Sequence, residues 1–264
     1  MWIYSSVPPA RPSRVYERNS KEKVDLFMTN ALPFKERRAP GFRTQVPEVC
    51  VTRLSLYLRE LTRLNRQQVR MVSSRQLAES LGLTDVQIRR DFNYFGQFGT
   101  SGRGYDVRKL HDRLTKILGV AGRTWNVALA GVGHLGSALL AYRGFRERGF
   151  LFRVAVDTDP RKIGQTIQGL TIASASQLAH RVRQQQIHIG LITVPVESAQ
   201  TVCDQLIQGG VRAILNFAPI HLDVPASVHL RTVDLAVELE SLVFYLVHPS
   251  PDTDSRKNSM VNGA

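Results

Sequence analysis

The sequence predicts an α/β protein in two unlike parts, a small helical head followed by a parallel sheet covered by helices. Three observations predict it. Between Val49 and Leu118 the apolar residues recur at helical spacing. After Gly122 short apolar strands alternate with helical stretches, the rhythm of a parallel α/β sheet. Charge is unevenly shared. Lys+Arg number 35 against 22 Asp+Glu, a net +13, of which residues 1–46 carry +5, residues 47–120 carry +6 and residues 121–264 only +2.

The first 46 residues, with Pro8, Pro9, Pro12, Pro33 and Pro40, show no sustained apolar period and are expected to be a poorly ordered basic extension. Met28, an internal methionine, is a candidate start of translation. From there the head runs over 47–122. Leu54, Leu58, Leu61 and Leu64 predict an amphipathic helix over 49–65. Ser73 or Ser74 caps a second helix with Leu77, Ala78 and Leu81 inside, and Gly82 ends it as a left-handed residue. Thr84 or Asp85 caps a third, with Ile88, Phe92 and Phe95 on one face. The stretch 96–107, with Gly96, Gly99, Gly102 and Gly104, predicts a short hairpin or wing, and a fourth helix covers 107–118. The sheet region runs over 123–234. Strands are expected at 125–130, 152–157, 188–194, 213–217 and 230–235, and helices near 136–148, 176–185 and 197–208. A last helix covers 235–248, with Leu235, Leu239, Leu242, Val243 and Leu246 as an apolar stripe, and 249–264 reads as a polar, frayed tail.

Composition excludes several classes. No apolar run reaches the roughly 18–20 residues that cross a bilayer, so no membrane partner is expected. The first twenty residues lack the apolar stretch of a secretory leader, and Cys50 and Cys203 match no disulfide, metal or redox spacing. A cytoplasmic protein without metal is expected. The positive charge of the first 120 residues points to a polyanion, against the plainer reading of a soluble basic surface.

Helix, tight turn at Gly82 and helix make a helix-turn-helix outline, in a region spanning about Leu56 to Gly96. Its second helix would lie in the major groove of double-stranded DNA. Thr84, Asp85, Gln87, Arg89, Arg90 and Tyr94 are the candidate contacts on that helix, and Arg103 of the wing could reach a flanking minor groove or phosphate. The plainer reading is a charged solvated face. The second motif is Gly131-Val132-Gly133-His134-Leu135-Gly136, after a strand and opening a helix. Its three glycines suit a tight turn, close approach to a pyrophosphate, and helix–strand packing. Asp157, 21 residues after Gly136, ends the next strand, where a carboxylate can take a ribose diol and repel a 2′-phosphate. NAD(H) is therefore favoured over NADP(H), with Arg161 and Lys162 close by as the counter-argument. Thr193, Val194, Pro195, Asn216 and Phe217 leave later strands at the same sheet edge and are candidates for the nicotinamide half. Arg146 follows Tyr142 by four, so the Tyr-x-x-x-Lys pair of short-chain reductases is missing, and no substrate domain follows. A DNA-binding head fused to a Rossmann-type domain without catalytic parts reads as a ligand-controlled transcription factor. An NAD-dependent oxidoreductase and a non-regulatory DNA-associated scaffold are the competing readings.

Residues 47–248 resemble the Rex family of bacterial redox-sensing repressors. The matching blocks are VSSRQLAESLGLTDVQIRRDFNYFGQFGTSGRGYDV, GVGHLGSAL, DTDPRKIG, LITVP, AILNFAP and VDLAVELESLVFYL. The resemblance implies a winged-helix domain, a Rossmann domain, and a homodimer with exchanged C-terminal helices. It further implies that NADH and NAD⁺ compete for one site, and that a palindromic operator is released when NADH replaces NAD⁺, controlling respiratory or fermentative genes. It places Tyr142 and Asp234 near the nicotinamide and the dimer contact. His134 stands where the family often has asparagine or arginine, Leu235 where some members have an aromatic residue, and residues 1–46 fall outside the family pattern.

Overall fold

The computed structural model describes residues 46–99 and 103–248. The extension before Val46, the proposed start at Met28, three residues of the wing and the tail from 249 lie outside the described residues.

The head is built on α1 (Glu48–Arg66), whose buried face carries Cys50, Leu54, Tyr57 and Leu61. A two-residue strand β1 (Met71–Val72) follows. Helix α2 (Ser74–Leu81) starts with a capping box: the Ser73 hydroxyl accepts from the Gln76 N–H, and the Gln76 side chain accepts from the Ser73 N–H. Gly82 ends it in the left-handed region at φ 65°. Thr84 caps α3 (Asp85–Asn93) by accepting from the Gln87 N–H. Strand β2 (Tyr105–Asp106) pairs antiparallel with β1, Met71 opposite Asp106, and forms the foot of the wing. Asp106 then caps α4 (Val107–Ile117). The sequence pattern misses β1, because a strand of two residues leaves no periodicity to read. One core joins these elements, with Leu54, Tyr57, Leu61, Leu77, Ile88, Phe92, Leu110 and Leu114 buried together. Phe92 is its hub, with ring contacts to Tyr57 (5.4 Å), Phe98 (4.9 Å) and Tyr105 (5.2 Å).

The second part is β3 (Trp125–Ala130), α5 (His134–Ala141), α6 (Arg143–Glu147), β4 (Phe150–Asp157), β5 (Thr166–Ile167), β6 (Leu170–Ser174), α7 (Leu178–Gln184), β7 (Ile189–Ile192), α8 (Val196–Gly209), β8 (Ala213–Asn216) and β9 (His229–Thr232). The sheet order is β5-β6-β4-β3-β7-β8-β9. All neighbours pair in parallel except β5 with β6. Leaving β5 aside, this is the doubly wound order, reversing direction between β3 and β7. One face packs Val154, Val156, Ile192, Leu206 and Ile214, the other Val127, Leu129, Leu140, Ala155 and Leu191.

Four expectations change. The helix expected at 136–148 is two helices, broken at Tyr142, whose ψ of 106° leaves the helical region. The strand expected at 230–235 ends at Thr232, because Asp234 turns the chain into α9 (Leu235–Val247) and caps it. The strand expected at 188–194 covers only Ile189–Ile192, and the Thr193 N–H makes the last bond of its ladder, to the Ala130 carbonyl of β3. Strand β6, unpredicted, completes one side of the parallel sheet. Helix α9 has no buried residue, and its exposed apolar side chains run from Val243 at 54% to Leu246 at 79%. They surround most of the helix rather than one stripe, more apolar surface than a soluble monomer ordinarily shows.

Candidate DNA interface and nucleotide site

Helix α3 is the second helix of the helix-turn-helix, and its placement rests on a charge cluster. Asp91, 2% exposed, faces inward and accepts both Nε (2.5 Å) and Nη2 (2.7 Å) of Arg53 and the Tyr57 hydroxyl (2.6 Å). Burial pushes the Asp91 carboxyl up, but the bonds from Arg53 and Tyr57 and the arginine charge outweigh it, and the net value lies below the ordinary one. Arg53 and Tyr57 carry no signal in the sequence, since 38 and 34 residues separate them from their partner. With its inner face fixed, α3 turns Arg90 outward. Arg90 is exposed and pairs with nothing among the described residues. Arg89 differs: it donates to Asp85 (2.6 Å) and to the Ser74 hydroxyl (3.2 Å), which joins α3 to α2. The Thr84 hydroxyl is engaged as the cap, accepting from the Gln87 N–H. Gln87 and Tyr94 are partly exposed, and Arg103 is exposed beside Gly104 at the wing. Arg113 braces that wing: it donates to the Gln97 and Phe95 carbonyls and lies 4.3 Å over the Phe98 ring.

The glycine loop sits at the carboxyl ends of β3 and β7, the point where the sheet order reverses. Gly131 has φ 93°, and a Cβ there would lie 2.5 Å from the Thr193 carbonyl oxygen. A Cβ on Gly136 would lie 2.1 Å from the Gly131 carbonyl oxygen, so helix and loop touch backbone to backbone. Around Gly133 there is nothing within 4 Å of the Cβ position. The loop is thus tight at both ends and open in the middle. Gly133 caps α5. The N–H groups of the first turn, from His134, Leu135 and Gly136, have no carbonyl one turn earlier in the helix, so they and the helix dipole suit an anion. The residues present therefore fit the pyrophosphate of a dinucleotide.

Asp157 is 8% exposed and holds the loop. Its Oδ2 accepts from the Val132 N–H (2.7 Å) and Lys162 Nζ (3.2 Å), and its Oδ1 from the Asp159 N–H (2.8 Å). Burial raises its pKa, yet the two N–H donors and Lys162 bring it below the ordinary value. A carboxylate offers about four acceptor sites, so one remains open. Arg161 is held by Asp159. Thr193 Oγ1 donates toward the Ala130 and Gly131 carbonyls and straps β7 to the loop.

Other sequence candidates scatter. Val132 is buried and its N–H is taken. Asn216 is fully buried, with its side chain accepting from the Ala218 N–H and donating to the Ala218 and Ile220 carbonyls. These bonds fold the loop after β8. Val194 and Phe217 are half-buried at the same edge and Pro195 is exposed. Asp234, two residues beyond β9, lies near that edge and accepts from the Ala236 N–H (2.9 Å). Tyr142 stands at the far end of α5, about 12 Å along the helix from its own loop, and is 55% exposed. The structure does not bring Tyr142 to the glycine loop of its own chain. Among the described residues no side-chain hydrogen bond links His134, Tyr142 and Asp234, no helix is long and apolar enough to cross a membrane, and no His/Cys/Asp/Glu group could hold a metal.

A winged helix-turn-helix head on a Rossmann-type sheet defines a DNA-binding regulator with a nucleotide-binding fold. Residues 45–93 match the family described as putative DNA-binding protein N-terminus, and residues 122–220 the CoA binding domain. The chain is 47% identical to a redox-sensing transcriptional repressor Rex from Desulfitobacterium hafniense over 76% of this chain and 95% of that one. It is also 47% identical to the protein of that name from Carboxydothermus hydrogenoformans, over 77% and 97%. A crystal structure of RSP in complex with β-NAD⁺ and operator DNA is similar, with TM-score 0.73 and 36% identity, covering 84% of this chain and all of that one. RSP in complex with β-NADH gives TM-score 0.70 and 36% identity, covering 77% and 95%. The chain belongs to the Rex family of redox-sensing transcriptional repressors.

Proposed function

We propose that this protein is a redox-sensing transcriptional repressor that holds a palindromic operator and leaves it when NADH replaces NAD⁺, controlling respiratory or fermentative genes in the cytoplasm. The observation that carries this reading is a capped, outward-facing α3 with Arg90 free, in one chain with a glycine loop open only at Gly133. We divide the chain into a DNA-binding domain (47–122), an NAD(H)-binding domain (123–234) and a dimerisation helix (235–248). The separate cores of head and sheet support that division.

Arg90 and Gln87 would read bases or phosphates, with Thr84, Asp85, Arg89 and Tyr94 at the border and Arg103 reaching from the wing. The N–H groups of His134, Leu135 and Gly136 would hold the pyrophosphate, and Asp157 one ribose hydroxyl. Thr193, Val194, Pro195 and Phe217 would border the nicotinamide, over a loop that Asn216 shapes. The two ligand forms differ by a hydride and by one positive charge on the nicotinamide ring. The apolar surface of α9 fits exchange with a second copy, which would supply the two heads a palindrome needs. In such a dimer Tyr142 and Asp234 would meet across the two-fold axis near the nicotinamide. A hundredfold preference of NADH for the DNA-free arrangement is worth about 2.7 kcal/mol, enough to lower operator affinity substantially.

The test is binding to a labelled palindromic operator as NADH is titrated against fixed NAD⁺ at constant salt, because phosphate contacts make affinity salt-dependent. Release by NADH, opposed by NAD⁺, is expected. Tight DNA binding with no response to NADH would overturn the sensing role. Steady turnover of NADH with a small carbonyl would instead reveal an oxidoreductase.

A further inference from the structure

We infer that Gly144 is a positioning residue: its missing side chain lets the Tyr142 phenol fold back over the first turn of α6, and this seat sets the response to NADH. The inference rests on the proposed place of Tyr142 in the sensing dimer.

The geometry is specific. The chain leaves α5 at Tyr142, and α6 begins at the next residue. The Tyr142 side chain curls over this turn. A Cβ on Gly144 would lie 2.5 Å from its Cζ and 2.6 Å from both Cε1 and the hydroxyl oxygen. The hydroxyl end of the ring therefore rests directly on the Gly144 backbone. Phe145 meets the ring edge-on at 5.2 Å and itself stands edge-on to Phe152 of β4 at 5.8 Å. An exposed phenol is thus tied through two aromatic contacts to the sheet that carries the nucleotide loop. Such a phenol would otherwise choose among rotamers.

Nothing in the backbone calls for glycine here. Gly144 is helical and is not among the glycines with positive φ. Glycine within a helix is itself less favourable than alanine. The cost is explained if the space above Gly144 belongs to the ring. A methyl group there comes within 3 Å of the ring atoms of a side chain that is 55% exposed, so the ring is expected to leave its seat on Phe145 and the fold to stay.

The experiment uses the full chain with Gly144→Ala, Tyr142→Ala and the double variant. It measures NADH-driven release of labelled operator at fixed NAD⁺, and the thermal midpoint. The expected result has three parts: Gly144→Ala melts no lower than the parent, its half-release concentration of NADH shifts by the same factor as in Tyr142→Ala, and the double variant shows no further shift. A parental NADH response in Gly144→Ala beside an impaired Tyr142→Ala would overturn the role of Gly144 alone. A parental response in Tyr142→Ala would overturn the reading of Tyr142 and the inference with it. A fall in the melting midpoint of Gly144→Ala, or additive shifts in the double variant, would show that the glycine serves the fold and would overturn the inference as well.

Discussion

Asp91→Ala should destabilise the head while sparing the sheet. Asp91 is 2% exposed and takes three hydrogen bonds, two of them from a guanidinium whose side chain is only 17% exposed. Removing the carboxylate leaves the Arg53 charge and the Tyr57 hydroxyl without their acceptor. Breaking a pair of this kind from one side costs about 3–5 kcal/mol. In a unit the size of the head, that lowers the melting midpoint by about 12 °C or more. Near-ultraviolet circular dichroism follows the melt, fluorescence anisotropy follows operator binding, and NADH fluorescence follows the sheet. Operator binding should fail well below the parental midpoint while NADH affinity persists, because the two parts have separate cores. The triple variant Arg53→Met, Tyr57→Phe, Asp91→Leu should recover most of the loss, since it removes every partner together. The sign with pH follows. The folded pKa is below the unfolded value of about 3.9, so the contribution is present above that value and lost as pH falls through the folded one. Asp91→Ala should therefore lack this part of the acid unfolding limb. Parental stability and operator affinity in Asp91→Ala would refute the reasoning.

Arg90→Ala should weaken operator binding by about 1–3 kcal/mol and leave NADH affinity intact; if Arg90 holds phosphate rather than base, the log–log salt slope should also fall by about one. Gly133→Ala should lower NADH affinity without lowering the thermal midpoint, because its Cβ meets nothing in the protein. Gly136→Ala should lower both, with about 1–3 kcal/mol of overpacking, because its Cβ lands 2.1 Å from a backbone oxygen. Leu242→Glu on α9, where Leu242 is 60% exposed, should shift sedimentation from dimer toward monomer and weaken operator binding with it; an unchanged dimer would remove α9 from the interface.

The parts of this protein that sequence determined are those set by neighbours along the chain. The capping box at Ser73, the left-handed Gly82, the Thr84 cap and the glycines at 131 and 136 each act over a few residues, so their spacing is their mechanism. The change of period at Gly122 separated head from sheet for the same reason. What tertiary structure decided involves partners distant in sequence or elements too short to carry a period. Strand β1 exists because β2 lies beside it. Asp91 is a negative charge on a helix rich in arginine, and which arginine it holds is decided only by the packing of α1 on α3, which brings Arg53 to it. Asp157 looked free for a ribose, and folding assigned three of its acceptor sites to Val132, Asp159 and Lys162. Asn216 looked like an edge ligand and is buried. Polar side chains are where sequence alone reads least well. A carboxylate or amide satisfies its hydrogen bonds with whatever the fold brings near, and that is known only once the chain has closed on itself.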